Sequence, residues 1–191
     1  NWRRRKIDGR SRSMHAQPRG PAPIPEGHPL RHLFRSLTEV SFEQIGVSDV
    51  ELMTYVTSLL IDFVHTDNLY RVRDAQGRRL KYLFELQLES QRGDTAHARE
   101  TQKHLGDYAM FIVGLFPESL QRQRRAVSPS YYVAQGKQAY ATVSEMDSPR
   151  PSAALFRKLA AQFETCVYAL NVEKEFLQDS FYQYLMRQLL S

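Results

Sequence analysis

The chain has 191 residues, 42% hydrophobic and 11% aromatic, with a formal net charge of +5. Those proportions exclude an unfolded, solvated chain and suit one globular domain with a real core. The charge is unevenly held: residues 1–27 carry seven Lys/Arg against two Asp/Glu, while residues 28–191 carry nineteen of each, so attraction to nucleic acid or anionic lipid is expected only from the basic arm.

A single cysteine, Cys166, excludes an internal disulfide and fits a reducing compartment. No apolar run reaches the roughly 20 residues that span a bilayer. The basic N-terminus has no apolar stretch after it, unlike a secretory signal. The expected location is the cytoplasm, with no membrane partner.

Residues 1–27 read as a disordered, basic, Pro-rich leader. Its first methionine is Met14, so residues 1–13 are a candidate non-native extension. Pro18, Pro21, Pro23 and Pro25 make its second half an extended linker. Residues 28–191 read as one helical domain. Pro29 suits a first helical residue, and Leu30, Leu33, Phe34, Leu37 and Val40 follow at helical spacing to about Gln44. Ser48 to Glu51 matches a capping box, opening a helix with Leu52, Val56, Leu59, Leu60, Phe63 and Val64 on its buried stripe. Thr66-Asp67-Asn68 is turn chemistry. Residues 69–83 are ambiguous: Asp74 to Gly77 suits the turn of a small hairpin, and the preferred alternative is a loop leading into a helix from about Arg78 to Glu89.

Asp94 or Thr95 then caps a central helix ending at Pro117. From Tyr108 to Phe116 this helix has no polar side chain except one phenol, and a helix apolar all round is buried. Glu118 to Arg125 suits a short helix. Ser128-Pro129 opens another, bearing Tyr132, Gly136, Ala139, Tyr140 and Val143. After the break at Ser148 to Ser152, a long helix places Leu155, Leu159, Phe163, Val167 and Leu170 on one face. Residues 176–190 make a terminal helix or a bent continuation. The expected fold is an all-α, irregular orthogonal bundle of seven or eight helices, with at most one small hairpin.

The run KHLGDYAMFIVGLFP, then YYVAQGKQAY, then a long amphipathic helix resembles a family of uncharacterised bacterial helical proteins. The resemblance covers most of residues 28–191. It implies a helical fold and a bacterial source, and no particular chemistry.

His97, Glu100, His104 and Asp107 are spaced 3, 4 and 3 apart and share one face of the central helix. With Asp62 and His65 from the second helix, the set Asp62, His65, Glu100, His104 and Asp107 is a candidate site for a transition metal ion. The Glu-x-x-His of di-iron bundles is absent. Against the metal stands a plain solvated face. Asp107, at the edge of the apolar run, is expected to be a buried carboxylate needing a partner, with Lys137 or Arg99 as candidates. Gly106, Gly114 and Gly136 point to close helix–helix approach. Arg122, Arg124 and Arg125 with Arg157 and Lys158 are a candidate basic patch. Cys166 reads as an inert buried thiol.

No catalytic motif is recognisable, and the balance leans away from an enzyme. The leading expectation is an interaction or regulatory module without a cofactor. It binds a protein partner, or another copy of itself, through a tyrosine-rich groove formed by Tyr131, Tyr132, Lys137, Tyr140 and Tyr184. The alternative is a metal-binding helical protein or a metal-dependent, oxidase-like enzyme. Nucleic acid is expected only through the N-terminal arm.

Overall fold

The computed structural model describes residues 21–121 and 127–177. In chain order its helices are α1 (Pro29–Gln44), α2 (Val50–Phe63), α3 (Thr66–Leu69), α4 (Leu83–Glu89), α5 (Thr95–Leu115), α6 (Pro117–Gln121), α7 (Pro129–Asp147), α8 (Ser152–Ala161) and α9 (Phe163–Phe176). They pack on one another as an all-α bundle, with no strand among the described residues beyond a single antiparallel bridge, Arg73 to Arg79. No helix among them is long and apolar enough to cross a membrane.

The centre is α5. The Asp94 carboxylate caps it, accepting from the His97 backbone N–H at 2.8 Å. Every residue from 104 to 116 is buried. With no polar side to show to water, the second half of this helix is covered all round, chiefly by α7 and α9. Glycines permit the close approach. A Cβ at Gly106 would stand 2.6 Å from the Tyr140 ring, and one at Gly114 would stand 2.6 Å from Leu170. On α7 itself, a Cβ at Gly136 would collide with the Phe163 ring. The three glycines are sockets for large side chains of neighbouring helices.

Four boundaries differ from the periodicity reading. Asp49, not Ser48, caps α2, its Oδ1 accepting from Glu51 and Leu52 N–H at 3.1 Å each. Thr66 to Leu69 forms a turn of helix, α3, rather than an open turn. The helix placed at Arg78 begins only at Leu83, because the Glu85 carboxylate accepts from Lys81 and Tyr82 N–H at 2.9 and 3.0 Å and closes its start there. Phe84 and Leu88 on this helix are exposed, while Leu80 is buried from the preceding extended segment. The long C-terminal helix is two helices meeting at Gln162, whose backbone (φ −104°, ψ 19°) leaves the helical region. No glycine or proline marks that bend. Phe163, just past it, fills the space above Gly136.

On α1 the buried stripe is Phe34, Thr38, Ser41 and Phe42, and Leu33 and Val40 face outward. One of the two hydroxyls on this core face meets a polar neighbour, Glu173 of α9: Thr38 Oγ1 donates to Glu173 Oε2 at 3.2 Å, while Ser41 Oγ donates back to the Leu37 carbonyl at 2.7 Å. Most of the leader, Arg122, Arg124, Arg125, Tyr184 and nearly all of the expected terminal helix lie outside the described residues.

Candidate functional site

Where the polar half of α5 meets its apolar half, an ionisable cluster surrounds a buried carboxylate and reaches the surface through Arg71 and Asp62. Asp107 is 3% exposed. Its Oδ1 accepts from the Tyr140 hydroxyl at 2.7 Å and the Tyr55 hydroxyl at 2.6 Å. Its Oδ2 accepts from Lys103 Nζ at 2.6 Å, with an Arg71 nitrogen 3.9 Å away. Burial pushes this carboxyl up. The Lys103 ammonium and the two phenols outweigh burial and hold it below the ordinary aspartate value. Burial, and then the Asp107 charge, drive both phenols well above the ordinary tyrosine value. Both therefore remain donors.

The cluster continues through Arg71. Its Nε donates to His104 Nδ1 at 3.1 Å, and another of its nitrogens donates to Asp62 Oδ2 at 3.2 Å. His104 Nε2 lies 3.1 Å from the Leu69 carbonyl, so the proton sits on Nε2 and the Nδ1 lone pair is taken by Arg71. Burial, then the neighbouring Arg71 charge, lower the imidazole to about 3. It is neutral at any ordinary pH. Asp62 also accepts from the Asn68 side chain at 2.9 Å.

The cluster thus bolts together α2 (Tyr55), α5 (Lys103, His104, Asp107), α7 (Tyr140) and the segment after α3 (Arg71). Its Asp107 carboxylate already takes three hydrogen bonds and its imidazole uses both nitrogens. That is the chemistry of a positioning network, with its lone pairs engaged by the protein itself.

The partners expected for Asp107 are elsewhere. Lys137 pairs with Glu164 at 3.2 Å on the surface. Arg99 makes a two-pronged pair with Asp147, at 2.8 and 2.6 Å. The Arg99 guanidinium, with Ser152 assisting, holds the Asp147 carboxyl down at about 2. Lys103, four residues before Asp107 on the same helix, is the partner that spacing alone offers. Tyr55 and Arg71 have no such local signal.

Three of the five metal-competent residues gather, but around a cation, the Arg71 guanidinium, and Glu100 and His65 are not among them. Asp62, His104 and Asp107 are each tied to Arg71 or its neighbours, and Glu100 bonds Arg99. His65 Nε2 is buried without a hydrogen-bond partner. Among the described residues no three His, Cys, Asp or Glu side chains could hold a metal ion together. Cys166 is fully buried, and burial pushes its thiol up to about 12.

The tyrosines proposed to line a groove take different places. Tyr132 and Tyr140 are core residues, 1% and 0% exposed. Tyr131 lies at the surface, donating to the Gln87 side chain at 3.0 Å. Lys137 does line a groove, of about 770 Å³, between α7 and α8 with the start of α9. Its floor is Val133, Ala134, Ala141, Ala160 and Ala161, and no tyrosine lines it. A helical face carrying tyrosines and alanines cannot be told from sequence to bury one set and present the other, because both suit a helix that is half covered.

No protein family, curated protein or solved structure matches this chain.

Proposed function

We propose that the protein is an interaction module that docks a helix of a protein partner, in the simplest case a second copy of itself, in the groove between α7 and α8. The observation that carries this reading is the alanine floor. Small side chains let a visiting helix approach closely, and Ala134, Ala141, Ala160 and Ala161 supply them on both walls. Both signs of charge stand in the groove, with Arg157 and Lys137 against Glu164. Two copies related by a two-fold axis can match such a surface, cation to anion in both directions. A reducing compartment, the cytoplasm, suits a chain whose one cysteine is a buried thiol. The bacterial source implied by the resemblance belongs to the same proposal.

A photo-crosslinking residue in place of exposed Ala161 tests it in living cells. The expected product is a discrete adduct whose mass identifies a second copy or a single partner. It should disappear when Ala134→Arg fills the groove, with the melting temperature unchanged. Adduct yields no higher than those from the same probe at exposed Glu145 would refute the groove.

A further inference from the structure

The balanced charge of residues 28–191 hides a local excess. Between Arg71 and Lys81 the chain holds five cations, Arg71, Arg73, Arg78, Arg79 and Lys81, against one acid, Asp74. It is a folded excursion. Asp74 Oδ1 accepts from Gln76 and Arg78 N–H at 2.9 Å each, Gly77 turns the chain at φ +79°, and Leu80 N–H returns to the Val72 carbonyl at 3.1 Å. Three of the arginines are neutralised: Arg71 by Asp62, Arg78 by Asp74 and Arg79 by Asp67. Arg73 and Lys81 are exposed and make no ion pair among the described residues; Arg73 donates to the Gly77 carbonyl at 3.0 Å and Lys81 Nζ stands over the Tyr70 ring, so neither charge is neutralised.

Immediately after Lys81 come two exposed aromatic rings. Tyr82 and Phe84 stack with centroids 5.8 Å apart and planes 13° from parallel, and they are 45% and 56% exposed. Phe84 is also the lip of a groove of about 570 Å³ between α4, α5 and α7. No ionisable residue lines that groove. It presents five primary amides instead: Gln87, Gln91, Gln102, Gln135 and Gln138. Gln87 and Gln135 bond each other, and Gln102 donates to Ser90 at 3.0 Å. Each of these still has donor or acceptor capacity to spare.

We infer that this surface binds single-stranded nucleic acid. Arg73 and Lys81 meet the phosphates, the Tyr82–Phe84 stack receives a base, and the glutamine groove contacts base edges. Each part matches one component of a nucleotide. Surface cations without a carboxylate partner attract the backbone, and every base offers a ring face to an aromatic. Primary amides donate and accept in the pattern that base edges require. An anionic membrane would satisfy the cations, Phe84 and Leu88. It would also bury amides among acyl chains that cannot hydrogen-bond to them, at considerable cost. A duplex keeps its bases stacked on each other and denies the aromatic pair a face. This site is distinct from the α7–α8 groove, and neither proposal depends on the other.

The test is fluorescence anisotropy of the full chain with labelled oligothymidylate and oligouridylate, titrated between about 50 and 200 mM salt. Saturable binding that weakens with salt is expected. In the Arg73→Ala, Lys81→Ala double variant the log–log salt slope should shrink by roughly 1.4, or about 0.7 per lost phosphate contact. Phe84→Ala should weaken binding roughly five- to hundredfold, through the loss of one stacked base. Both changes are at exposed positions, so unchanged thermal melting serves as the folding control. Four outcomes would each overturn the proposal. The first is no binding at the lowest salt. The second is a duplex of equal length binding as tightly. The third is loss of affinity on changing Arg3, Arg4 and Arg5 to Gln but not in the double variant, which assigns binding to the N-terminal arm. The fourth is partition onto phosphatidylserine vesicles without oligonucleotide binding.

Discussion

The Tyr140 hydroxyl stands 2.7 Å from Asp107 Oδ1, and the ring that carries it rests on the bare Cα of Gly106, the residue before that aspartate. Socket and acceptor are consecutive residues of α5. The glycine lets the ring approach and the carboxylate fixes where it stops, so α7 is set against α5 by one side chain through both a steric and a polar contact.

Removing the hydroxyl tests the polar half. Tyr140→Phe keeps the ring and deletes one of three hydrogen bonds to a buried charge, a loss of about 1.5–3 kcal/mol. Asp107→Leu leaves Lys103 and two phenols without their acceptor and should cost about 3–5 kcal/mol. Urea denaturation of the two variants should rank them in that order. Equal stability of Asp107→Leu and the natural chain would show that the network holds nothing together.

Gly106→Ala tests the steric half. The added carbon would stand 2.6 Å from the Tyr140 ring, closer than real contacts, so ring or helix must shift. The expected loss is about 1–3 kcal/mol. In a Tyr140→Ala background most of that loss should vanish, since the obstructing ring is gone. A double-mutant cycle measures the difference, and additive losses would mean that the glycine serves something other than Tyr140.

Glu173 gives the fold a specific pH dependence. It is 1% exposed, and burial raises its carboxyl from 4.5 to about 8, which the Thr38 hydrogen bond only partly offsets. The folded state therefore holds a proton that the unfolded chain releases near 4.5. Stability falls as pH rises through this window, by up to about 1.4 kcal/mol per pH unit, and levels off above about 8. His104 acts in the opposite sense. Its folded value of about 3 lies below the ordinary 6.5, so the stability its neutral form contributes is lost as pH falls from 6.5 towards 3. The opposing slope of His104 fades above 6.5 as the unfolded imidazole loses its proton, so from there to about 8 the Glu173 slope dominates. Glu173→Gln should flatten the denaturation midpoint across that range and raise it near pH 8. A natural chain equally stable at both ends would contradict a protonated Glu173.

Arg99→Gln should expose the second staple. Asp147, 1% exposed, would keep its charge with Ser152 as its remaining close donor, at 2.9 Å. A loss of about 3 kcal/mol is expected. Because Arg99 holds the Asp147 carboxyl down at about 2, the natural chain owes it stability that is present above 3.8 and lost as pH falls towards 2. Acid titration of the variant should lack that component, and thermal melting against pH reads it.

Periodicity made the outline of α1, α2, α5 and α7 legible, and caps supplied several ends: Pro29, Asp94 and Ser128-Pro129 stand where the helices begin. The bend at Gln162 was not legible, because the stripe of Leu159, Phe163, Val167 and Leu170 runs through it unbroken. Glu173 sits on the same stripe as Cys166, Leu170 and Leu177, which was a readable sign of a charge on a buried face. Thr38 gave the matching sign on α1. Of the Asp107 cluster, the aspartate and Lys103 are four residues apart on one helix and could be paired from spacing. Tyr55 and Arg71 come from 52 and 36 residues away in the chain and could not.

The apolar run from Tyr108 to Phe116 by itself required burial on every side, since no face of it tolerates water, and the Asp94 cap with the helical pattern before it made that buried segment a helix. Which phenols became core, which alanines became a groove floor, and which glutamines came to share a groove were decided only when the helices packed. A helix's own pattern states that one side is covered, and the identity of the cover is a property of chain segments far away in sequence.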